Sequence, residues 1–428
     1  MDMKIGRREF FAGALAAGAI GAARPGLAAA QAGEAWRGWR KGELQVHFIY
    51  TGVCESMFFI FPDGTSMLLD CGDQGSIMRH QYAVPVPDPH SMAGEQIADY
   101  VLRVNPNGKN VDYMMCSHWH SDHVGTPNWQ SAAPLMKKSD KYYRSGFGCA
   151  AEKLVFAKAL DRGWPSYDDP IPFVEGWDKE LEHIRKLYAF LQERDGLKVE
   201  KFRLGARDQV VPLHGEAPGF SVFNLCVNGS LAMPDGSTKN VIAPYVRPNT
   251  AKINENALSL GMIVSYGPFR FYTAGDFSHG CRHGAKPTGG IEDDMAEACG
   301  AVDVAKINHH GCQSMSRKLV SAMKARCYVA CVWDQLHVTS GTMELLSDRT
   351  LYPGDRTLFP TVMTRERMAE DAGKPWMKDV ADAVKGDGAH VVLTVPAGGK
   401  NYTMTCLDAY GAGMKVLAEY AFDTTRKG

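Results

Sequence analysis

Apolar and polar positions in the first part of the chain alternate in short runs. Leu44 to Tyr50 predicts a strand, Met57 to Phe61 a second and Ser66 to Leu69 a third, with Pro62-Asp63-Gly64 as the turn between the last two. Met92 to Val104 has helical spacing, with Ile97, Val101 and Leu102 on its apolar side, and Val111 to Cys116 is a mostly apolar run of buried-strand type. The period then changes. Ala150 to Leu160 and Trp177 to Glu193 are spaced as helices, the second carrying the stripe Leu181, Ile184, Leu187, Tyr188 and Leu191. Residues 131–204 are therefore expected to form a helical insertion, packed on the body or serving as a lid.

Strands are expected again at Val199 to Leu204, Gln209 to Leu213, Phe220 to Val227 and Ala257 to Tyr266, and at Phe269 to Thr273 after a Gly-Pro turn. Ile291 to Cys299 and Arg317 to Ala325 predict helices. Val302 to Ile307, Cys327 to Trp333, Val391 to Val395 and Tyr402 to Leu407 complete the strands. A chain of 428 residues has room for one large domain with insertions or for two.

Composition changes this picture little. The formal net charge of −1 gives no whole-chain electrostatic reason to expect nucleic acid as a partner. The eleven cysteines are scattered without a CxxC pair and suit core packing. The first 30 residues form a targeting segment: a basic start, an apolar run from Phe10 to Ala22, and Ala28 and Ala30 as a cleavage site before Gln31. Within it, Arg7-Arg8-Glu9-Phe10-Phe11 resembles the twin-arginine export motif, departing from its usual form at Gly6 and Phe11. That resemblance implies passage through the twin-arginine export machinery and a periplasmic or otherwise exported mature chain. No later run is long and apolar enough to span a bilayer.

The densest chemistry follows the apolar run. Ser117-His118-Trp119-His120-Ser121-Asp122-His123 places three imidazoles and a carboxylate within six positions. Two apart at a strand end, His118 and His120 point to one side and can reach one metal; Asp122 and His123, where the chain must turn, can reach a second. Imidazole with carboxylate suits zinc.

The run matches in full the HxHxDH signature of the metallo-β-lactamase superfamily. The resemblance implies an α+β fold, a four-layer αββα sandwich spanning residues 31–428, with a dinuclear site at one edge of its sheets. It also implies the remaining ligands. Thr273-Ala274-Gly275-Asp276 resembles the motif whose aspartate bridges both ions. Asn254-Glu255-Asn256-Ala257, His309-His310-Gly311 and His337 resemble the DNA-uptake competence hydrolases and the bacterial phosphorylcholine esterases, although His337 lacks the usual Gly-His-Pro setting. Val46 to Gly72 resembles the opening of the competence hydrolase domain, apart from Val53-Cys54-Glu55-Ser56, which replaces a Gly-rich acidic loop.

On this basis His118, His120 and His310 are assigned to one ion and Asp122, His123 and His337 to the other, with Asp276 between them. Asp70 lies behind the ligands, orienting one of them. His309 becomes an acid or transition-state donor, and His309 and His310 can exchange roles. Asp122 would also hold the bridging hydroxide. The cofactors implied are two Zn²⁺, with Mn²⁺ or Fe as alternatives.

The expected activity is hydrolysis of a phosphoester, small or of the cell envelope. The HTPGH motif of lactonases is absent, and Asp276 stands where common β-lactamases carry Cys. A lactone, β-lactam or other amide or ester is the second expectation. A catalytically inactive metal-containing binding module is the third. Trp119, Trp129 and Trp164 could box a quaternary ammonium group, but packing near the loop is the favoured account of them, so choline is not assigned.

Overall fold

Alternation sorts the early strand side chains into two buried sets. Val46, Phe48, Met57, Phe59, Met67, Leu69, Tyr113 and Met115 fall in one cluster. Phe58, Ile60, Leu68, Val111 and Met114 fall in the other. Since i and i+2 share a face, these strands are covered on both sides.

A computed structural model describes residues 32–74, 84–127, 140–169, 178–242, 254–278, 290–411 and 413–425. The first sheet begins with β1 (Leu44–Phe48), β2 (Ser56–Ile60), β3 (Ser66–Cys71), β4 (Asn110–Met115), β5 (Val155–Asp161) and β6 (Lys198–Lys201). The second takes β7 (Phe220–Val227), β8 (Ser230–Ala232), β9 (Thr238–Asn240), β10 (Gly261–Tyr266), β11 (Phe269–Ala274), β12 (Val304–Lys306), β13 (Cys327–Ala330) and β14 (Thr357–Pro360). The chain then returns to the first sheet with β15 (Ala389–Val395), β16 (Asn401–Asp408) and β17 (Val416–Asp423). The strand orders are β17-β16-β15-β1-β2-β3-β4-β5-β6 and β14-β13-β12-β11-β10-β7-β8-β9.

Both sheets are mixed. β3 to β6 run parallel in the first, and β11 to β14 run parallel in the second. The sheets meet through aromatic side chains, with ring centroids of Phe48 and Phe271 5.8 Å apart and those of Phe61 and Phe220 4.6 Å apart. Helices cover them. α1 (Ala93–Val104) buries Ile97 and Val101 with the outer set of the first sheet. Two four-residue turns follow, α2 (Ser121–Val124) and α3 (Phe147–Ala150). α4 (Asp178–Asp195) adds Ile184, Leu187 and Leu191 to that outer set. α5 (Gly290–Cys299) and α6 (Arg317–Met323) bring Ile291, Met295, Leu319 and Val320 into the cluster that contains the second sheet. The arrangement is mixed α/β and compatible with an α+β sandwich.

Four local expectations change. Val155 to Asp161, expected within a helix, is β5: pairing with β4 on one side and β6 on the other outweighs the helical spacing. The segment expected to be a helical insertion thus supplies edge strands of the first sheet as well as α3 and α4. Gln209 to Leu213 is not a strand, because side chains satisfy its surroundings: Val211 N–H donates to the Tyr113 hydroxyl, and Gln209 Nε2 donates to Lys201 O. Leu102 faces outward at 39% exposure. Glu255–Leu258 forms a 3₁₀ turn before β10 begins at Gly261. The twin-arginine stretch, Trp129, His80, His279 and His283 lie outside the described residues.

Parallel strands bring their C-terminal ends to one edge. Asp70 ends β3, the histidine loop follows β4, Asp276 follows β11, His309 and His310 follow β12, and His337 comes after β13.

Candidate metal centre

The histidine loop is short and closely held. His120 caps α2, and Asp122, His123 and Val124 form its single turn. Gly72 makes room for it, since a Cβ there would lie 1.8 Å from Asp122 O. The amide of Trp119, between His118 and His120, donates to Glu255 Oε1 at 3.0 Å. Glu255 is in turn held by both forks of the buried Arg162 guanidinium, at 2.9 and 2.7 Å. That guanidinium lies 3.6 Å over the Trp119 ring, which is buried and covered. Trp164 packs on Tyr167 and Tyr188, so these two tryptophans are engaged in packing.

Four ligand-type atoms converge. His123 Nε2 is 3.0 Å from Asp276 Oδ2 and 3.7 Å from Asp122 Oδ2. His310 Nε2 is 2.9 Å from Asp122 Oδ2 and 3.1 Å from Asp276 Oδ2. Ligand atoms about 2.0–2.2 Å from a tetrahedral ion lie roughly 3.3–3.6 Å apart, so these separations suit one shared cation. His118 Nε2 lies 4.0 Å from the same Asp276 Oδ2 and has no hydrogen-bond partner, although it is buried. The His118 and His120 rings are 4.6 Å apart.

Two of these imidazoles are backed by carboxylates. Asp70 Oδ2 accepts from His123 Nδ1 at 2.8 Å, while Asp70 Oδ1 accepts the Ser117 amide at 2.7 Å. Glu55 Oε2 lies 3.2 Å from His310 Nδ1, which also donates to Cys331 O at 2.9 Å. Such bonds turn Nε2 of each ring toward the cluster. Glu55 Oε1 pairs with Lys306 Nζ at 2.6 Å, and that ammonium also donates to Ala274 O at 2.9 Å.

The cluster Glu55, His123, Asp276 and His310 is wholly buried and could hold a metal ion. Its charges call for one. Glu55, Asp70, Asp122 and Asp276 bury four carboxylates against one ammonium among the described residues, that of Lys306, leaving a formal three negative charges. Unpaired buried charge is costly, so cations must enter or protons must. Burial by itself would lower His123 and His310, yet the carboxylates of Asp276 and Asp122 hold both well above the usual imidazole range. Burial would raise Asp276, and the same two histidines hold it well below the usual carboxylate range. Protons on His123 and His310 thus stand where metal charge would serve. His118 and His120 go the other way: burial lowers both, His120 to about 4, leaving neutral donors.

His310 contacts both Asp276, expected between the two ions, and Asp122, expected at the second. His337 stacks on His310 with centroids 4.9 Å apart and planes 22° apart. His309 Nδ1 donates to Cys312 O at 2.9 Å, which leaves Nε2 to accept when the ring is neutral and to donate only when it is protonated. His309 and His310 both adopt left-handed backbone, with φ of 48° and 52°, a conformation uncommon outside glycine and enriched at functional sites. Gly311 continues it at φ 82°, and a Cβ there would strike Val338 at 2.2 Å.

The sequence reading did not find Glu55, Lys306 or the Arg162–Glu255 pair. Two of them leave a signal. Lys306 is a charge inside the apolar run Val302 to Ile307, and Glu55 directly precedes an apolar strand. Each needed a buried partner, and each is the other's.

Two histidines outside the cluster have structural partners. His214 Nε2 lies 3.0 Å from Asp112, and His47 bonds Tyr100 and Gln45. No family model matches this chain, and no curated protein sequence is significantly similar to it.

Proposed function

We propose that the chain is a metal-dependent hydrolase of metallo-β-lactamase type, exported by the twin-arginine route and acting on a small or cell-envelope phosphoester. The observation that carries this reading is the convergence of Asp122, His123, Asp276 and His310, with His118 and His120 beside them. In it, Asp122, His123, Asp276 and His310 would hold one ion, His118 and His120 together with Asp276 would hold the other, and His337 would line the site from its place against His310. Two zinc ions there would activate a water and polarise the bond it attacks.

The chain's own residues do the rest. Asp70 and Glu55 fix the rings of His123 and His310. Glu255 fixes the amide between His118 and His120. His309, tied at Nδ1, presents Nε2 as the group that receives a proton and later returns it to the leaving oxygen. Asp276, in place of a thiolate, makes an all-nitrogen-and-oxygen site, which suits phosphoryl oxygens.

The test is a side-by-side assay of a phosphodiester such as bis-p-nitrophenyl phosphate, a lactone and a chromogenic cephalosporin, with His120→Ala as control. Metal-dependent turnover of the phosphodiester, abolished in the variant, is expected. Turnover of the lactone or cephalosporin with kcat/KM above roughly 10⁴ M⁻¹s⁻¹, with phosphodiesters inert, would replace the phosphoester by one of those substrates. Inactivity toward all three would favour a binding module.

A further inference from the structure

A second cavity lies apart from the metal cluster, between α1 and the outer face of the first sheet. Its volume is about 210 Å³, and Tyr50, Tyr100, Arg103 and His390 line it. Phe48 pairs with Val391, so the end of β1 and the start of β15 meet at the cavity wall. None of the residues that line it belongs to the metal cluster.

Two donors that face this cavity have no acceptor among the described residues. His390 is only 7% exposed, and its Nδ1 accepts the Tyr50 amide at 3.0 Å. Burial lowers this imidazole to about 3, so the ring is neutral at ordinary pH. With Nδ1 accepting, its proton is on Nε2. Among the described residues nothing accepts that proton. Arg103, on α1, is close enough for its charge to act on His390 and makes no hydrogen bond or ion pair among the described residues.

Three carboxylates also stand on the wall. Asp99 is paired with Lys153 at 2.6 Å, Asp88 accepts the His90 amide at 2.9 Å, and Asp408 accepts the Tyr410 amide at 2.9 Å while its charge, opposing that of Arg103, acts to raise His390. The rest of the wall is mixed: Tyr410, Ile97 and Met414 lie beside the other two tyrosines, and Thr51, Ser91 and Gln96 add polar groups.

We propose that this cavity binds a small organic acid no larger than a substituted benzoate. Its carboxylate takes the Arg103 guanidinium and the His390 Nε2–H, and its body packs against Tyr50, Tyr100 and Tyr410. An arginine–carboxylate pair is among the stronger polar contacts available, and tyrosine faces suit a flat apolar body.

The test uses the metal-loaded full chain. Titration calorimetry with benzoate is expected to give one saturable site, weakened at least tenfold in Arg103→Gln and retained in His120→Ala. Arg103 is exposed, so the variant should keep its melting temperature and metal content. Crystals soaked in 4-iodobenzoate should place the iodine in this cavity. Absence of saturable binding, iodine at the metal cluster alone, equal affinity in Arg103→Gln, or tighter binding of benzylamine than of benzoate would each overturn the proposal.

Discussion

Lys306 Nζ lies 2.6 Å from Glu55 Oε1, and both side chains are fully buried. The ammonium also lies 3.8 Å from Asp276 Oδ1. One cation thus braces two carboxylates of the cluster from behind. Removing one member of a buried pair leaves the other unpaired, at about 3–5 kcal/mol. Lys306→Met is expected to lose stability on that scale in urea denaturation of the metal-free protein. Adding Glu55→Gln should restore part of it. A Lys306→Met variant as stable as wild type would remove this bracing role.

Asp70 and Glu55 stand in matching positions behind His123 and His310. If they orient the ligands, Asp70→Ala should keep the fold and weaken metal binding by roughly 10–100-fold. Competition with a chromogenic chelator reads this directly. Unchanged affinity would leave Asp70 as a brace for the Ser117 amide alone.

The close approach of Gly72 to the histidine loop gives a steric prediction. A methyl at Gly72 would meet Asp122 O at 1.8 Å and Asp122 Cα at 2.7 Å, backbone that no side-chain rotation can clear. Gly72→Ala is therefore expected to displace Asp122 and His123 and to lower metal content well below that of wild type. Full metal content in that variant would show that the loop can shift without losing its ligands.

Burial of neutral histidines predicts acid lability. Burial lowers His47 from 6.5 to about 3. As pH falls below 6.5 the unfolded chain takes up a proton that the folded chain refuses until near 3. The unfolded state then binds more protons, so stability falls with pH through that window, by on the order of 1.4 kcal/mol per unit for this group. His47→Gln should show a shallower loss of unfolding free energy between about pH 6 and about pH 4. Parallel pH profiles for the two proteins would contradict it.

Much of the candidate site was legible because the residues proposed as its ligands cluster locally or follow strand ends. His118, His120, Asp122 and His123 are adjacent in sequence, and the apolar run before them marks β4. Asp276 and His310 were found because each closes a short apolar strand, β11 and β12. Their allotment was not legible. Which carboxylate meets His310 depends on how two sheets face each other, and no local pattern encodes that. β5 was missed for a similar reason: Ala157, Lys158 and Ala159 suit a helix, and only its place between β4 and β6 makes them a strand. Glu55 and Lys306 lie 251 residues apart in the chain, and each is a single charge in an apolar setting. A search for isolated buried charges would have flagged both, though not that they pair.

The central claim is a metal centre built on Asp122, His123, Asp276 and His310, with His118 and His120 beside it. Anomalous diffraction at the zinc edge, on crystals of chain purified without chelator and supplied with zinc, tests it most directly. Two peaks are predicted. One should lie about 2.0–2.2 Å from Asp122 Oδ2, His123 Nε2, Asp276 Oδ2 and His310 Nε2. The other should lie at similar distances from the His118 and His120 rings, with Asp276 shared between them. A well-ordered site with no anomalous peak, the four atoms held together by protons alone, would contradict it.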